Sequence, residues 1–271
     1  LRYLLDVRGS GSRDSFVIGE SSIMENKDGR VVLVTGSATG VGRACAVKFA
    51  KFGFDVVVNY PGADKEEAEE TVRLVENLQR RAMLVQCDVS RDDQVVAMVE
   101  GIEQTFGRLD VVVNAAGLTY FVEHADLDGL TEQQWDAIIG VNTKGPFFVI
   151  RAAARLLKKG SSSAVVNVSS VAGISGFGSS IAYCASKGAL NTMTKSLARA
   201  LAPEIRVNAV CPGPIDSRWL RKDMSKEQIA QRVATFPIPK LSTPEDIADT
   251  VAYLATGTSM TTGQVLVVDG G

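Results

Sequence analysis

Histidine is almost missing from this 271-residue sequence, in which His124 is the only one. One imidazole excludes a histidine-built metal cluster and leaves a Ser-His-Asp hydrolase resting on a single residue. Cysteine is nearly as sparse: Cys45, Cys87, Cys184 and Cys211 lie far apart, in no Cys-x-x-Cys or Cys/His spacing. Neither a metal site nor a disulfide framework is expected from them, and a reducing, cytoplasmic compartment fits. Basic excess is absent as well, with 29 Lys and Arg against 31 Asp and Glu. Nothing in that balance would neutralise a phosphate backbone, so nucleic acid is not expected as a main partner. No apolar run approaches the roughly 18 residues of a membrane span, and no membrane partner is expected either.

What is present is an ordinary globular composition, 45% hydrophobic and 22% charged. The length suits one large α/β domain with a well-buried core, or two small ones. Residues 1–28 stand apart, because Leu4 and Leu5 are hemmed in by Arg2, Asp6 and Arg8 and a stretch rich in Ser and Gly follows. That segment lacks the apolar centre of a secretory signal, and Asp6, Asp14 and Glu20 argue against a transit peptide. A flexible N-terminal extension is expected there, ahead of a single domain over residues 29–271.

From Val31 onward short apolar runs recur: VVLV at 31, FDVVV at 54, AMLVQ at 82, LDVVV at 109, AVVNV at 164, IRVNAV at 205 and VLVV at 265. They are continuous rather than alternating, as in strands buried on both faces of a parallel sheet. Between them fall helical stretches at roughly 41–52, 64–80, 92–106, 131–158, 183–202 and 244–255. Seven strands alternating with helices predict one Rossmann-type, doubly wound α/β domain, a parallel sheet with helices on both faces. Ligands of such sheets bind beyond the carboxyl ends of the strands. Gly36, Asn59, Asp88, Asn114, Ser170 and Cys211 are therefore expected along one rim.

Residues 31–42 read VVLVTGSATGVG, a strand that breaks into a loop holding Gly36, Gly40 and Gly42 and resumes as a helix. Backbone N–H groups and the positive end of a helix dipole converge at such a junction and suit a phosphate. Taken alone, the triplet fits a tight βα turn equally well. Tyr183 and Lys187 lie four residues apart, so both project from one face of a helix. A free phenol has a pKa of about 10; a nearby ammonium and a nicotinamide cation are expected to bring it into a range useful for proton exchange. Ser170 ends the strand VVNVSS and offers an uncharged hydroxyl to a substrate oxygen. Asn142, in VNTKGPF, places an amide that could hold a water within a helical stretch. Each of these also has a plain structural explanation, as a surface pair, a strand-end cap or a tolerated helix polar.

Together these segments resemble the short-chain dehydrogenase/reductase family, specifically its single-domain branch similar to 3-oxoacyl-carrier-protein reductases. Thr35-Gly36-Ser37-Ala38-Thr39-Gly40-Val41-Gly42 matches the family's TGxxxGxG, and Asn114-Ala115-Ala116-Gly117 its NNAG with alanine in second place. Asn142, Ser170, Tyr183 and Lys187 match its catalytic tetrad. Pro212-Gly213-Pro214-Ile215-Asp216-Ser217 resembles its PGxxxT, and the match covers about residues 30 to 271. The resemblance implies that Tyr183 exchanges a proton with the substrate oxygen while a nicotinamide gives or takes hydride. Lys187 would hold the nicotinamide ribose and favour Tyr183 ionisation, Ser170 would orient the carbonyl or alcohol, and Asn142 would anchor a water. It further implies cofactor contacts at Gly36, Ser37, Thr39, Gly40, Val41 and Gly42, at Asn59 and Tyr60, and at Asp88 and Val89. Asn114, Ala115, Gly117, Tyr183, Lys187, Pro212, Gly213, Ile215 and Ser217 complete the implied set, Asp88 meeting the adenine amino group or serving as a turn cap.

An acidic residue at the end of the second strand would repel a 2′-phosphate; Asn59 stands there, so NADP is favoured over NAD, with Lys65 as the nearest phosphate partner. Residues 218–240, with Trp219, Met224 and Phe236, resemble a substrate lid. Pro203-Glu204 follows the Tyr183 helix where the carrier-protein reductases place a basic residue, which raises a free ketone, hydroxy acid or sugar beside the 3-oxoacyl substrate. The resemblance implies a homotetramer acting on a small carbonyl or alcohol. A non-catalytic dinucleotide-binding regulator and a dehydratase or epimerase stay open as alternatives.

Overall fold

The computed structural model describes residues 29–216, 220 and 225–271. The extension expected over residues 1–28, Ser217, and Trp219 and Met224 of the expected lid lie outside the described residues.

Seven strands are laid down: β1 (Val31–Thr35), β2 (Asp55–Tyr60), β3 (Ala82–Gln86), β4 (Val111–Asn114), β5 (Ser163–Val168), β6 (Ile205–Pro212) and β7 (Val265–Val268). They form one parallel sheet in the order β3-β2-β1-β4-β5-β6-β7. The continuous apolar runs of the inner strands follow from burial on both sides, whereas the edge strands β3 and β7, expected to be buried likewise, are only partly covered because each has a neighbour on one side alone. Val32 and Val34 of β1 enter one hydrophobic cluster with Phe49, Phe54 and Val251, while Val31 and Leu33 enter the other with Ile102, Leu109 and Leu157. Because β1 has β2 on one side and β4 on the other, strand order reverses there, and a crevice opens above the carboxyl ends of β1 and β4.

The helices are α1 (Gly40–Lys51), α2 (Lys65–Asn77), α3 (Asp92–Phe106), α4 (Glu132–Ile139), α5 (Gly145–Leu157), α6 (Ala172–Ser175), α7 (Ile181–Leu201), α8 (Lys226–Val233) and α9 (Pro244–Ala252). The single helix expected over 131–158 is not continuous. It starts at a capping box, with Thr131 accepting from Gln134 N and Gln134 reaching back to Thr131 N, and is interrupted by a π turn at Gly140–Lys144. A π turn adds a residue to the helical repeat and re-aims what it carries, here Asn142. The short α6 was not signalled by periodicity, and α8 falls within the stretch read as a lid. No helix among the described residues is long and apolar enough to cross a membrane.

Phe49 is fully buried and meets Phe54 edge-on at 5.2 Å between ring centroids. Phe49→Ala should lower the free energy of unfolding by about 3–5 kcal/mol in denaturant titrations, and a loss below about 1 kcal/mol would mean that this layer is not close-packed.

Candidate active site

The glycine loop needs each of its glycines for a different reason. A Cβ at Gly36 would lie 2.7 Å from Ala116 Cα, and one at Gly42 would lie 2.2 Å from Gly36 O, so both are points of close backbone approach. Gly40 has open space around it, but its φ of +56° is a left-handed conformation that strains other residues. Ser37 is buried and donates through Oγ to Val34 O at 2.8 Å. Arg43, on the first turn of α1, donates to Ala38 O, Glu67 O and Thr71 Oγ1, fastening the loop to α2. The first turn of α1 carries no acidic residue, so nothing offsets its dipole.

The neighbouring segments close on that loop. Thr35 Oγ1 accepts from Ala115 N and Ala116 N, both at 3.1 Å, pinning the turn after β4 to the end of β1. Asn114 donates to Asn167 Oδ1 at 2.9 Å, and Asn167 donates to Thr194 Oγ1 on α7. The Asn114 Oδ1 atom is buried at the end of β4 with no partner. Asp88 accepts from Ser90 N and Ser90 Oγ, both through Oδ1. It is a turn cap, and Oδ2 is the oxygen that remains for an external donor.

Val89 is buried, its Cγ2 filling the space that a Cβ on Gly145 would need. Thr39 is the N-cap of α1 but makes no side-chain cap bond, and Val41 is partly buried beside it. Tyr60 is buried, and Lys65 is exposed and paired with Glu69 at 3.7 Å. Beyond β6, Pro212 O accepts from Val171 N, Gly213 lies so close to Asp269 that a Cβ would approach it to 2.6 Å, and Ile215 bridges to Ser242. Gly117 sits just before Leu118 in the turn after β4.

The proton-transfer residues converge on α7. Ser180 caps that helix by accepting from Tyr183 N, which fixes Tyr183 in its first turn and Lys187 one turn later. Lys187 is 4% exposed, donates to Val168 O at 2.9 Å and stands 5.7 Å from the centre of the Tyr183 ring. Burial lowers the Lys187 ammonium to about 8, with the Cys211 thiol acting in the opposite direction. Burial also pushes the Tyr183 phenol up to about 12, against a downward pull from the nearby Ser170 hydroxyl. Desolvation dominates at Tyr183 in the absence of cofactor, and the phenol is held as an acid. Gly173 brings Ser170 to this place: a Cβ there would lie 2.4 Å from Lys187 C, so α6 rests directly on the backbone of α7.

Two side chains are committed differently from expectation. Asn142, expected to hold a water with its amide, is fully buried; Oδ1 accepts from Leu118 N, and Nδ2 donates to Leu118 O and to Ser186 Oγ. Its amide is a brace between the turn after β4 and α7. Asn59, expected beside the cofactor ribose, is also buried, accepting from Gly36 N at 3.1 Å and donating to Cys87 O at 2.9 Å. Its side chain supports the glycine loop from beneath. Glu204 precedes β6, about 25 Å along that strand from the rim, so it does not border the mouth of its own chain.

Arg43, Gly173 and Ser186 were not singled out from the sequence, since nothing local distinguishes a serine or a glycine that meets a distant backbone. His124 Nε2 lies 3.2 Å from Gly178 O, and Val122 N donates to Ser179 O, stitching the loop after β4 to the one before α7. Cys184 is partly buried beside Tyr183.

A family model described as enoyl-(acyl carrier protein) reductase matches residues 36–271. The chain belongs to the short-chain dehydrogenase/reductase family, and it is an NAD(P)-dependent oxidoreductase. It is 37% identical over 248 residues to the 3-oxoacyl-(acyl-carrier-protein) reductase FabG of Thermotoga maritima, covering 90% of this chain and 98% of that one. With FabG of Staphylococcus aureus it shares 39% over 241 residues, 88% and 96% of the two chains. Among solved structures, a blue fluorescent protein from a metagenomic library, in complex with NADPH, superposes with a TM-score of 0.83 at 33% identity. That superposition covers 91% of this chain and 99% of the other.

The Lys187 shift has a signature in stability. Between pH 8 and about 10.5 the unfolded chain binds more protons at this lysine than the folded one, so the burial penalty is full below pH 8 and fades as pH rises. Folding stability of the wild type relative to Lys187→Met should therefore increase across that window in denaturant titrations at fixed pH, and a flat difference would place the amine in water.

Proposed function

We propose that the protein reduces a ketone to a secondary alcohol with NADPH, with Tyr183 as the acid, and that its substrate is of the 3-oxoacyl type. The observation that carries this is the convergence at the rim of the Tyr183 phenol, the nearby Ser170 hydroxyl and the buried Lys187 amine, 5.7 Å from the centre of the Tyr183 ring. The dinucleotide fits the residues present: the glycine cradle would take its pyrophosphate, and Asp88 keeps one oxygen for the adenine amino group. When bound, it supplies the hydride. The end of β2 carries no carboxylate to repel a 2′-phosphate, and one structural neighbour is described in complex with NADPH; both favour NADP.

Within this reading Ser170 donates to the carbonyl oxygen and holds it beside the phenol. Tyr183 passes its proton to that oxygen as negative charge develops there, and the Lys187 ammonium stabilises the phenolate left behind. Asn142 keeps the turn after β4 against α7, and Pro212, Gly213 and Ile215 border the nicotinamide end. The names of the relatives favour a 3-oxoacyl chain, and Glu204, placed far from the rim, no longer argues against one. Residues 218–240 act as the lid, residues 1–28 as an extension, and the proposed homotetramer would cover the exposed Phe147 and Ile181.

The test is a panel of 3-oxoacyl thioesters, free ketones, sugars and enoyl thioesters, followed by loss of reduced-nicotinamide absorbance with each cofactor. Oxidation of NADPH by 3-oxoacyl thioesters is expected; turnover of enoyl thioesters alone, or tight cofactor binding with no turnover, would overturn the reading. Tyr183→Phe should lower kcat by about 10²- to 10⁴-fold with cofactor affinity little changed, and near-normal turnover would remove Tyr183 from the acid role. Gly36→Val should abolish cofactor binding in fluorescence titrations, whereas unchanged affinity would detach the glycine loop from the pyrophosphate.

A further inference from the structure

Ser186 lies on α7 between the two residues assigned to proton transfer. It is fully buried on α7, and its Oγ accepts from Asn142 Nδ2 at 3.0 Å while donating to Tyr183 O at 2.7 Å. The carbonyl it reaches, Tyr183 O, is the one that the helical repeat pairs with the Lys187 N–H, so one hydroxyl bears on the backbone of both residues. A second bond runs alongside, from Thr143 Oγ1 to Ser186 O at 3.2 Å. Asn142 and Thr143 both belong to the π turn at Gly140–Lys144, and Asn142 holds Leu118 by two bonds, at 2.8 and 2.9 Å.

A continuous line of hydrogen bonds, buried at the Asn142–Ser186 link and partly buried elsewhere, therefore joins the turn after β4, on the cofactor side, to the first turn of α7, on the proton-transfer side. Ser186 is the point where the Asn142 amide grips α7. Loss of its hydroxyl would leave a buried Asn142 donor unmet, and the π turn, α7 or both must shift to recover it.

We propose that Ser186 is a positioning residue for the reduction: through Asn142 it sets Tyr183 and Lys187 against the segment after β4, where cofactor contacts are assigned. This rests on the proposed function. Nothing in the role involves contact with substrate or cofactor, so its effect belongs in kcat and not in cofactor binding. A misplacement of even an ångström at the proton donor costs rate steeply.

The experiment is a double-mutant cycle on the full chain, with Ser186→Ala, Asn142→Ala and the pair, measuring kcat, KM for NADPH and thermal stability on whichever substrate the panel identifies. Ser186→Ala should lower kcat about tenfold or more with KM for NADPH within about twofold, and the double variant should lose no more than Asn142→Ala alone. Wild-type kcat in Ser186→Ala with only a lowered Tm, or losses that multiply in the double variant, would reduce Ser186 to a packing residue and overturn the inference. Should Ser186→Ala fail to fold, Ser186→Cys, which fills the site but hydrogen-bonds weakly, carries the same criteria. A wild type without turnover on any substrate would instead count against the proposed function, so the two failures are distinguishable.

Discussion

The site depends on a contact with no side chain in it. Gly173 lies against the carbonyl carbon of Lys187 and the amide of Gly188, closer than any Cβ could come, and that approach brings the end of β5 onto α7. Ser170 ends up beside Tyr183 because of it, and Ser169 Oγ donates to Lys187 O at 3.2 Å on the same seam. Everything else at the rim is arranged around this seam: the parallel sheet brings seven strand ends to one edge, and the reversal of order at β1 leaves a crevice for the glycine loop to border.

Burial at the seam governs the electrostatics. An ammonium and a phenol taken out of water both lean toward their neutral forms, so Lys187 falls and Tyr183 rises. A proton donor is thereby held ready without forming a phenolate prematurely, and the Val168 carbonyl keeps the ammonium in place. The surrounding polar groups serve the same geometry. Asn59 braces the glycine loop, Asn142 braces the turn after β4, and the Asn114–Asn167–Thr194 chain ties β4 and β5 to α7.

Much of this was legible in the sequence. Continuous apolar runs announced strands buried on both faces, and Gly36, Gly40 and Gly42 marked the loop through needs that only glycine meets. The spacing of Tyr183 and Lys187 put both on one face of a helix, as found. What escaped were effects of distance. The π turn at Gly140–Lys144 leaves no mark on hydrophobic periodicity, so α4 and α5 read as one helix. The amides of Asn59 and Asn142 look available in one dimension and are consumed in three, because their partners Gly36, Leu118 and Ser186 lie about 20 to 45 residues away. The elevation of the phenol pKa by burial was not legible either: sequence shows which charge is near, but not how much water has been removed.

The account therefore turns on whether the phenol is buried at the rim. An ultraviolet titration of phenolate absorbance, taken as the difference between wild type and Tyr183→Phe without cofactor, measures that directly. The structure predicts a transition at about 12. A transition near 10, the value of a tyrosine in water, would contradict it by placing the hydroxyl outside the cleft.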